Sequence, residues 1–205
     1  MLESMFEKII VLDNLRKAWL VREGLEELSG KMLGIVGFGF IGKAIAQRAV
    51  AFEMKVSYYC RHQLNEIHEE NLSVKYSNLD RITESSDVIV LAVPLSSETT
   101  HLYNSSMFRK MKPSSILINV SRGGVVNEAD LYEALITRKI AGASLDVFED
   151  ESPNADSPLF HLPNVVVTPH IAGRTRQAFI RITENCINNI AFVAQGGLPR
   201  NIVSG

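Results

Sequence analysis

Three side chains in the second half of the chain are of the types that proton transfer beside a carboxylic acid needs. Arg122, in INVSRGGVVNE, follows a short apolar run and precedes Gly123 and Gly124. A guanidinium is a planar fork of donors matched to a carboxylate. His170, in VVVTPHIAG, follows another apolar run and a proline. Imidazole titrates near neutrality, so it can give or take a proton under physiological conditions. Glu151, in LDVFEDESP, is a carboxylate able to orient such a histidine and raise its pKa, and Asp146 opens the same segment. Singly, each has a plain alternative: a surface arginine, a structural histidine, a solvated acidic loop. Their shared position, each just beyond an apolar run, makes them a set.

A glycine-rich turn stands upstream. GFGFIG supplies Gly37, Gly39 and Gly42 between an apolar run and a helical pattern. In that context the first glycine permits a tight turn, the second lets a pyrophosphate approach the backbone, and the third lets helix and strand pack closely. The N–H groups of Phe40 and Ile41 then face the phosphates, aided by the helix dipole. A ligand-free glycine turn is the plain alternative. About 20 positions beyond such a turn, an acidic residue binds the ribose hydroxyls of NAD. Here the stretch reads Tyr58, Tyr59, Cys60, Arg61, His62, with no carboxylate. Arg61, assisted by His62, is suited to a 2′-phosphate, which favours NADP over NAD. The alternative is that Arg61 is a solvated loop charge.

These residues need a scaffold that brings strand ends together. Apolar runs at Met32–Val36, Lys55–Tyr59, Asp87–Val93, Ser115–Val120, Gly142–Val147 and Asn164–Thr168 read as strands. Helical periodicity lies between them, most clearly at Phe40–Phe52 and Glu128–Arg138. Strands without strict alternation, separated by helices, predict a doubly wound parallel α/β sheet, a Rossmann-type three-layer αβα fold. Such sheets bind ligands at the carboxyl ends of their strands, where Arg122, Asp146, Glu151 and His170 are expected. A helix is expected over residues 2–22, with Trp19 and Leu20 on its apolar face. Another is expected from Arg174 to Ala194, closed by Gly196, Gly197 and Pro199.

Composition narrows the partners. Hydrophobic residues at 46% and charged residues at 21% fit a folded domain rather than disorder. The 21 basic and 23 acidic residues nearly balance, which argues against nucleic acid as the main partner. The longest apolar stretch, Val88 to Leu95, is too short to span a membrane, and the N-terminal residues do not read as a signal peptide. Cys60 and Cys186 form neither a disulfide framework nor a metal motif, so a reducing, cytoplasmic setting is expected and no metal.

The segments LSGKMLGIVGFGFIG, VIVLAVPLSSET, MKPSSILINVSRGGVV, AGASLDVFEDE and NVVVTPHIAG run in register from about Leu28 to Gly173. In these the chain resembles the D-isomer-specific 2-hydroxyacid dehydrogenases, a family that includes phosphoglycerate dehydrogenase, glyoxylate and hydroxypyruvate reductases and D-lactate dehydrogenase. The resemblance implies hydride transfer between a nicotinamide cofactor, NAD or NADP, and a small 2-oxo or 2-hydroxy acid. It implies Arg122 as the substrate-binding arginine, His170 as the acid–base histidine and Glu151 as its partner. It places Phe40 and Ile41 at the pyrophosphate, and Val93, Pro94 and Thr99 in a loop beside the cofactor. Val120 and Ser121 fall on the nicotinamide side, Asp146 at the carboxamide, and Ala172 and Gly173 after the histidine.

The chain also departs from the family pattern. Cys60 stands where NAD-using relatives often carry aspartate, and Ser152 separates Glu151 from Pro153. Family members normally begin with a flavodoxin-like lobe of roughly a hundred residues that completes the substrate cleft. The chain is therefore expected to comprise a linking helix over 1–27, the dinucleotide-binding domain over 28–173, and a helix over 174–205 returning toward that lobe. The family usually forms homodimers through this domain. Two other functions share the scaffold: a corepressor-like NAD(P) sensor without turnover, and formate dehydrogenase, which usually carries glutamine where Glu151 stands.

Overall fold

The structure, a computed structural model, describes residues 26–150 and 157–199. The expected helix over 2–22, with Trp19 and Leu20, lies outside the described residues, and so does Glu151. Elements alternate along the chain: β1 (Met32–Val36), α1 (Phe40–Ala51), β2 (Lys55–Tyr59), α2 (Glu66–Leu72), β3 (Val74–Tyr76), α3 (Leu79–Ser85) and β4 (Val88–Leu91). They continue with α4 (Ser105–Lys110), β5 (Ile116–Asn119), α5 (Glu128–Ile136), β6 (Gly142–Leu145), β7 (Val165–Val167) and α6 (Arg176–Ala194). Short 3-10 turns cover Gly123–Val125 and Pro158–His161.

The strands form one seven-stranded sheet in the order β3-β2-β1-β4-β5-β6-β7, and every pairing is parallel. The chain winds outward from β1 one way to β3, then crosses back to β4 and onward. The β1–β4 junction is thus the switch point where open sheets of this kind bind ligands. Successive residues of a strand face opposite sides, so the sheet carries a core on each. Ile89 and Leu91 of β4 pack with Phe108, Leu131 and Leu135, while Val90 between them packs with Ile35, Ala46 and Tyr58.

β1 and β2 occupy the expected residues. β4, β5, β6 and β7 are each shorter than the apolar runs that predicted them, because the last residues of those runs leave the ladder and build the loops of the site. β3, α2, α3 and α4 were not anticipated. The three helices span only six or seven residues each, too short for a clear period. Asparagines start them: the side chains of Asn65, Asn78 and Asn104 accept from the N–H groups of His68, Arg81 and Ser106. Asn127 caps α5 in the same way through Asp130.

α6 begins two residues later than expected, because Thr175 caps it through the Ala178 N–H and Arg174 closes a turn onto the Ile171 carbonyl (3.0 Å). None of its residues is buried, and Phe179 and Ile190 are at least 70% exposed. Among the described residues, no helix is long and apolar enough to cross a membrane.

Candidate active site

The glycine turn sits at the switch point. Gly37 has φ of +98°, and a Cβ there would lie 2.4 Å from the Ala92 carbonyl oxygen beyond β4. A Cβ on Gly42 would lie 2.2 Å from the Gly37 oxygen, which is why α1 can start so close to β1. A Cβ on Gly39 would meet nothing within 4 Å, so that glycine faces open space. α1 is the one described α-helix with no side-chain cap, and among the described residues no acceptor takes the N–H of Phe40 or Ile41. Phe40 itself is 98% exposed. Uncapped donors at a helix N-terminus beside open space fit the pyrophosphate of a dinucleotide.

Two adjoining grooves flank this turn. One, about 500 Å³, runs from Gly37 and Gly39 past Cys60, Arg61 and His62 to Val93, Pro94 and Thr99. The Cys60 thiol donates to the His62 carbonyl, and burial pushes that thiol up in pKa against the opposing pull of Lys43. The Tyr58 hydroxyl donates to Glu69 (2.7 Å) and accepts from the Leu64 N–H (2.9 Å), which ties down the loop carrying Arg61 and His62. Thr99 donates to the Pro94 carbonyl and accepts from the Ser96 N–H, which shapes the opposite wall. The second groove, about 350 Å³, is lined by Ile41, Val93, Pro94, Val120, Ser121 and Arg122.

Arg122 also lines a cleft of about 240 Å³ with Asp146, Pro169 and His170. Buried Asn119 sets the loop that presents it: its oxygen accepts from the N–H and hydroxyl of Ser121, and its amide donates to the Arg122 carbonyl. The Arg122 guanidinium donates to the Ser121 carbonyl (2.7 Å). Gly123 then passes so close to the loop after β6 that a Cβ would lie 1.8 Å from the Phe148 carbonyl.

His170 is exposed and adopts φ of +54°, which a residue with a Cβ holds only when its surroundings enforce it. Asp146 enforces it. One carboxylate oxygen accepts from the Thr168 hydroxyl and the Ile171 N–H, and the other from the Ala172 N–H. Gly173, next in line, is exposed. Burial alone would raise the Asp146 carboxyl, but the Thr168, Ala172 and Ile171 donors, with His170 nearby, hold it below the ordinary 3.8.

A depressed folded pKa stabilises the native state above the unfolded value, and that stability is lost as pH falls through the folded value. Asp146→Asn is therefore expected to lower the thermal midpoint at pH 7, with the gap to the parent closing as pH drops below about 4. A gap independent of pH, seen by calorimetry across that range, would refute the brace.

The approach to Glu151 is anchored up to its second-last neighbour. Glu149 and Glu128 exchange backbone-to-carboxylate hydrogen bonds (2.9 and 2.7 Å), and His101 pairs with Glu149 at 3.2 Å. The structure thus brings Arg122, Asp146 and His170 to one cleft and most residues expected at a nucleotide to the adjoining grooves, while Phe40, Gly42, Ala172 and Gly173 line neither groove. Sequence reasoning missed Asn119, Thr168 and Arg174, the last of which also lines the cleft. The polar residue ending an apolar strand was the available signal for the first two.

A parallel sheet with an uncapped glycine turn at its switch point, and an arginine and a histidine in the next cleft, defines a dinucleotide-binding domain. The profile described as "D-isomer specific 2-hydroxyacid dehydrogenase, NAD binding domain" matches residues 12–172, and the chain belongs to this family. Glyoxylate reductase of Pyrococcus furiosus is 43% identical over 87% of the chain and 52% of its own length. D-3-phosphoglycerate dehydrogenase of Archaeoglobus fulgidus is 43% identical over 87% of the chain and 34% of its own length. Among solved structures, D-lactate dehydrogenase with NAD+ from Lactobacillus jensenii superposes with a TM-score of 0.83 at 30% identity, covering 94% of this chain and 62% of that one. Apo D-mandelate dehydrogenase of Rhodotorula graminis gives 0.86 at 29% identity, covering 99% and 60%. The chain spans about half the length of the glyoxylate reductases it matches.

Proposed function

We propose that this chain is the cofactor domain of an oxidoreductase that interconverts a small 2-oxo acid and its 2-hydroxy acid. The observation that carries this reading is the position of Arg122, which lines both the groove leading from the glycine turn and the cleft that holds His170. The nicotinamide, when bound, supplies the reducing equivalent. Arg122 binds the substrate carboxylate and polarises its carbonyl. His170 gives a proton to the oxygen as charge develops there, and Glu151 holds the histidine protonated. Asp146 keeps the His170 turn in place, and the family resemblance implies that Asp146 also lies beside the nicotinamide carboxamide.

NADP is the proposed preference, because Arg61 and His62 line the nucleotide groove where NAD-selective proteins present a carboxylate. A homodimer and a cytoplasmic setting belong to the same reading; Cys60 and Cys186 are both free thiols. The exposed apolar residues of α6 are proposed to face the substrate lobe of the whole protein.

The test is oxidation of NADPH and NADH by the purified protein against a panel of 2-oxo acids. Turnover supports the reading; nucleotide binding without turnover on any acid favours a sensor instead. Arg61→Ala is expected to lower kcat/KM for NADPH by roughly tenfold to a hundredfold more than for NADH, the worth of one charge-assisted hydrogen bond. Equal losses for both nucleotides would remove the 2′-phosphate role.

A further inference from the structure

The Arg122–His170 cleft contains a second guanidinium that the reaction as proposed does not use. Arg174 lines it together with Arg122, Asp146 and His170. Among the described residues no side-chain or backbone acceptor takes a hydrogen bond from its guanidinium, a group with five donors to offer. Its backbone is fixed on both sides. Upstream, Asp146 holds the N–H groups of Ile171 and Ala172, and the Arg174 N–H donates to the Ile171 carbonyl at 3.0 Å. Downstream, Thr175 is the cap of α6. A backbone held this way keeps the Arg174 side chain at the cleft it lines. Arg122 suffices for one carboxylate, and Asp146 has both oxygens turned to Thr168 and to the 171–172 backbone. A second fork in the same cleft is matched by a second anionic group on the substrate.

We propose that Arg174 is a specificity-determining residue that selects 2-oxo acids bearing a second carboxylate or a phosphate. The proposal rests on the cleft being the 2-oxo acid site. It is tested on the full chain with 2-oxobutyrate as the monoanion, 2-oxoglutarate as the dicarboxylate and 3-phosphohydroxypyruvate as the phosphate. The expected result is a kcat/KM preference for one of the dianions. Arg174→Ala should cut that preference by about tenfold or more, and Arg174→Lys should keep most of it, as for a lost or retained charge-assisted contact. All three acids are measured on one preparation, so the fraction of folded protein cancels from each ratio. The dianion whose ratio falls identifies the second group.

A parent without preference, or a preference that survives Arg174→Ala, overturns the proposal and leaves the reductase reading standing. If no acid is turned over, the reductase reading fails. Calorimetric titration with 2-oxoglutarate, 3-phosphohydroxypyruvate and 2-oxobutyrate then decides this proposal alone. Tighter binding of either doubly anionic acid that needs Arg174 upholds it, and equal binding of all three ends it.

Discussion

His170→Ala is expected to lower kcat for 2-oxo acid reduction by about a hundredfold to ten-thousandfold, the usual worth of a positioned general acid. Nucleotide affinity should be largely retained, because His170 lines the cleft and neither of the two grooves that run from the glycine turn. The substitution keeps the backbone donors that Asp146 uses, which belong to Ile171 and Ala172. The φ of +54° also costs alanine about what it costs histidine, so the loop is expected to stay in place. A proton given only as charge develops is an interaction of the transition state, so kcat and kcat/KM should fall together. Stopped-flow single turnovers with NADPH read the chemical step directly. Unchanged turnover, or a loss confined to KM, would take the acid–base role from this residue.

Gly123→Ala is expected to be the most damaging small change in the site. Its Cβ would lie 1.8 Å from the Phe148 carbonyl carbon and oxygen and 2.3 Å from the Glu149 nitrogen. All three are backbone atoms, so no side chain can rotate away, and one of the two loops must move. Overpacking of buried groups costs about 1–3 kcal/mol, and a backbone clash belongs at the top of that range or above it. One loop carries Arg122 and the other leads toward Glu151, so a shift of about 1 Å would displace Arg122 from His170 and, with it, the carboxylate fork from the general acid proposed above. Misplacement of that size can cost on the order of a hundredfold in rate. Urea denaturation should show the stability loss, and kcat/KM on the remaining folded protein the second effect. A variant of parental stability and activity would show that the two loops are not held in this close approach.

Much of this was legible in the chain because the chemistry sits where apolar runs stop. Two devices are readable from local sequence: a buried parallel strand as a run without alternation, and an uncapped glycine turn as the spacing of Gly37, Gly39 and Gly42. Arg122 and His170 were found because both follow such runs. α2, α3 and α4 were missed because helices of six or seven residues do not complete two turns, so periodicity fails and only the asparagine caps remain as a signal. β3 was missed because VKY is three residues long with a lysine at its centre. Arg174 was read as the start of a helix. That it lines the cleft follows from a short turn onto Ile171 and from the Asp146 brace, whose contacts join segments more than twenty residues apart and are encoded by no local pattern.

The two outermost strands have a bearing on how the domain behaves in a crowded solution. β3 and β7 are each three residues long, shorter than any strand between them. The free rim of an open sheet can recruit a neighbour's backbone, and recruitment grows stronger with each added rung. Val166 and Val167 give the β7 rim an exposed apolar surface, yet after Thr168, whose N–H still donates to the Leu145 carbonyl, the chain turns at Pro169 and His170 before a longer template can form. The turn that brings His170 to the cleft thus also keeps this rim too short to template edge-to-edge pairing of molecules.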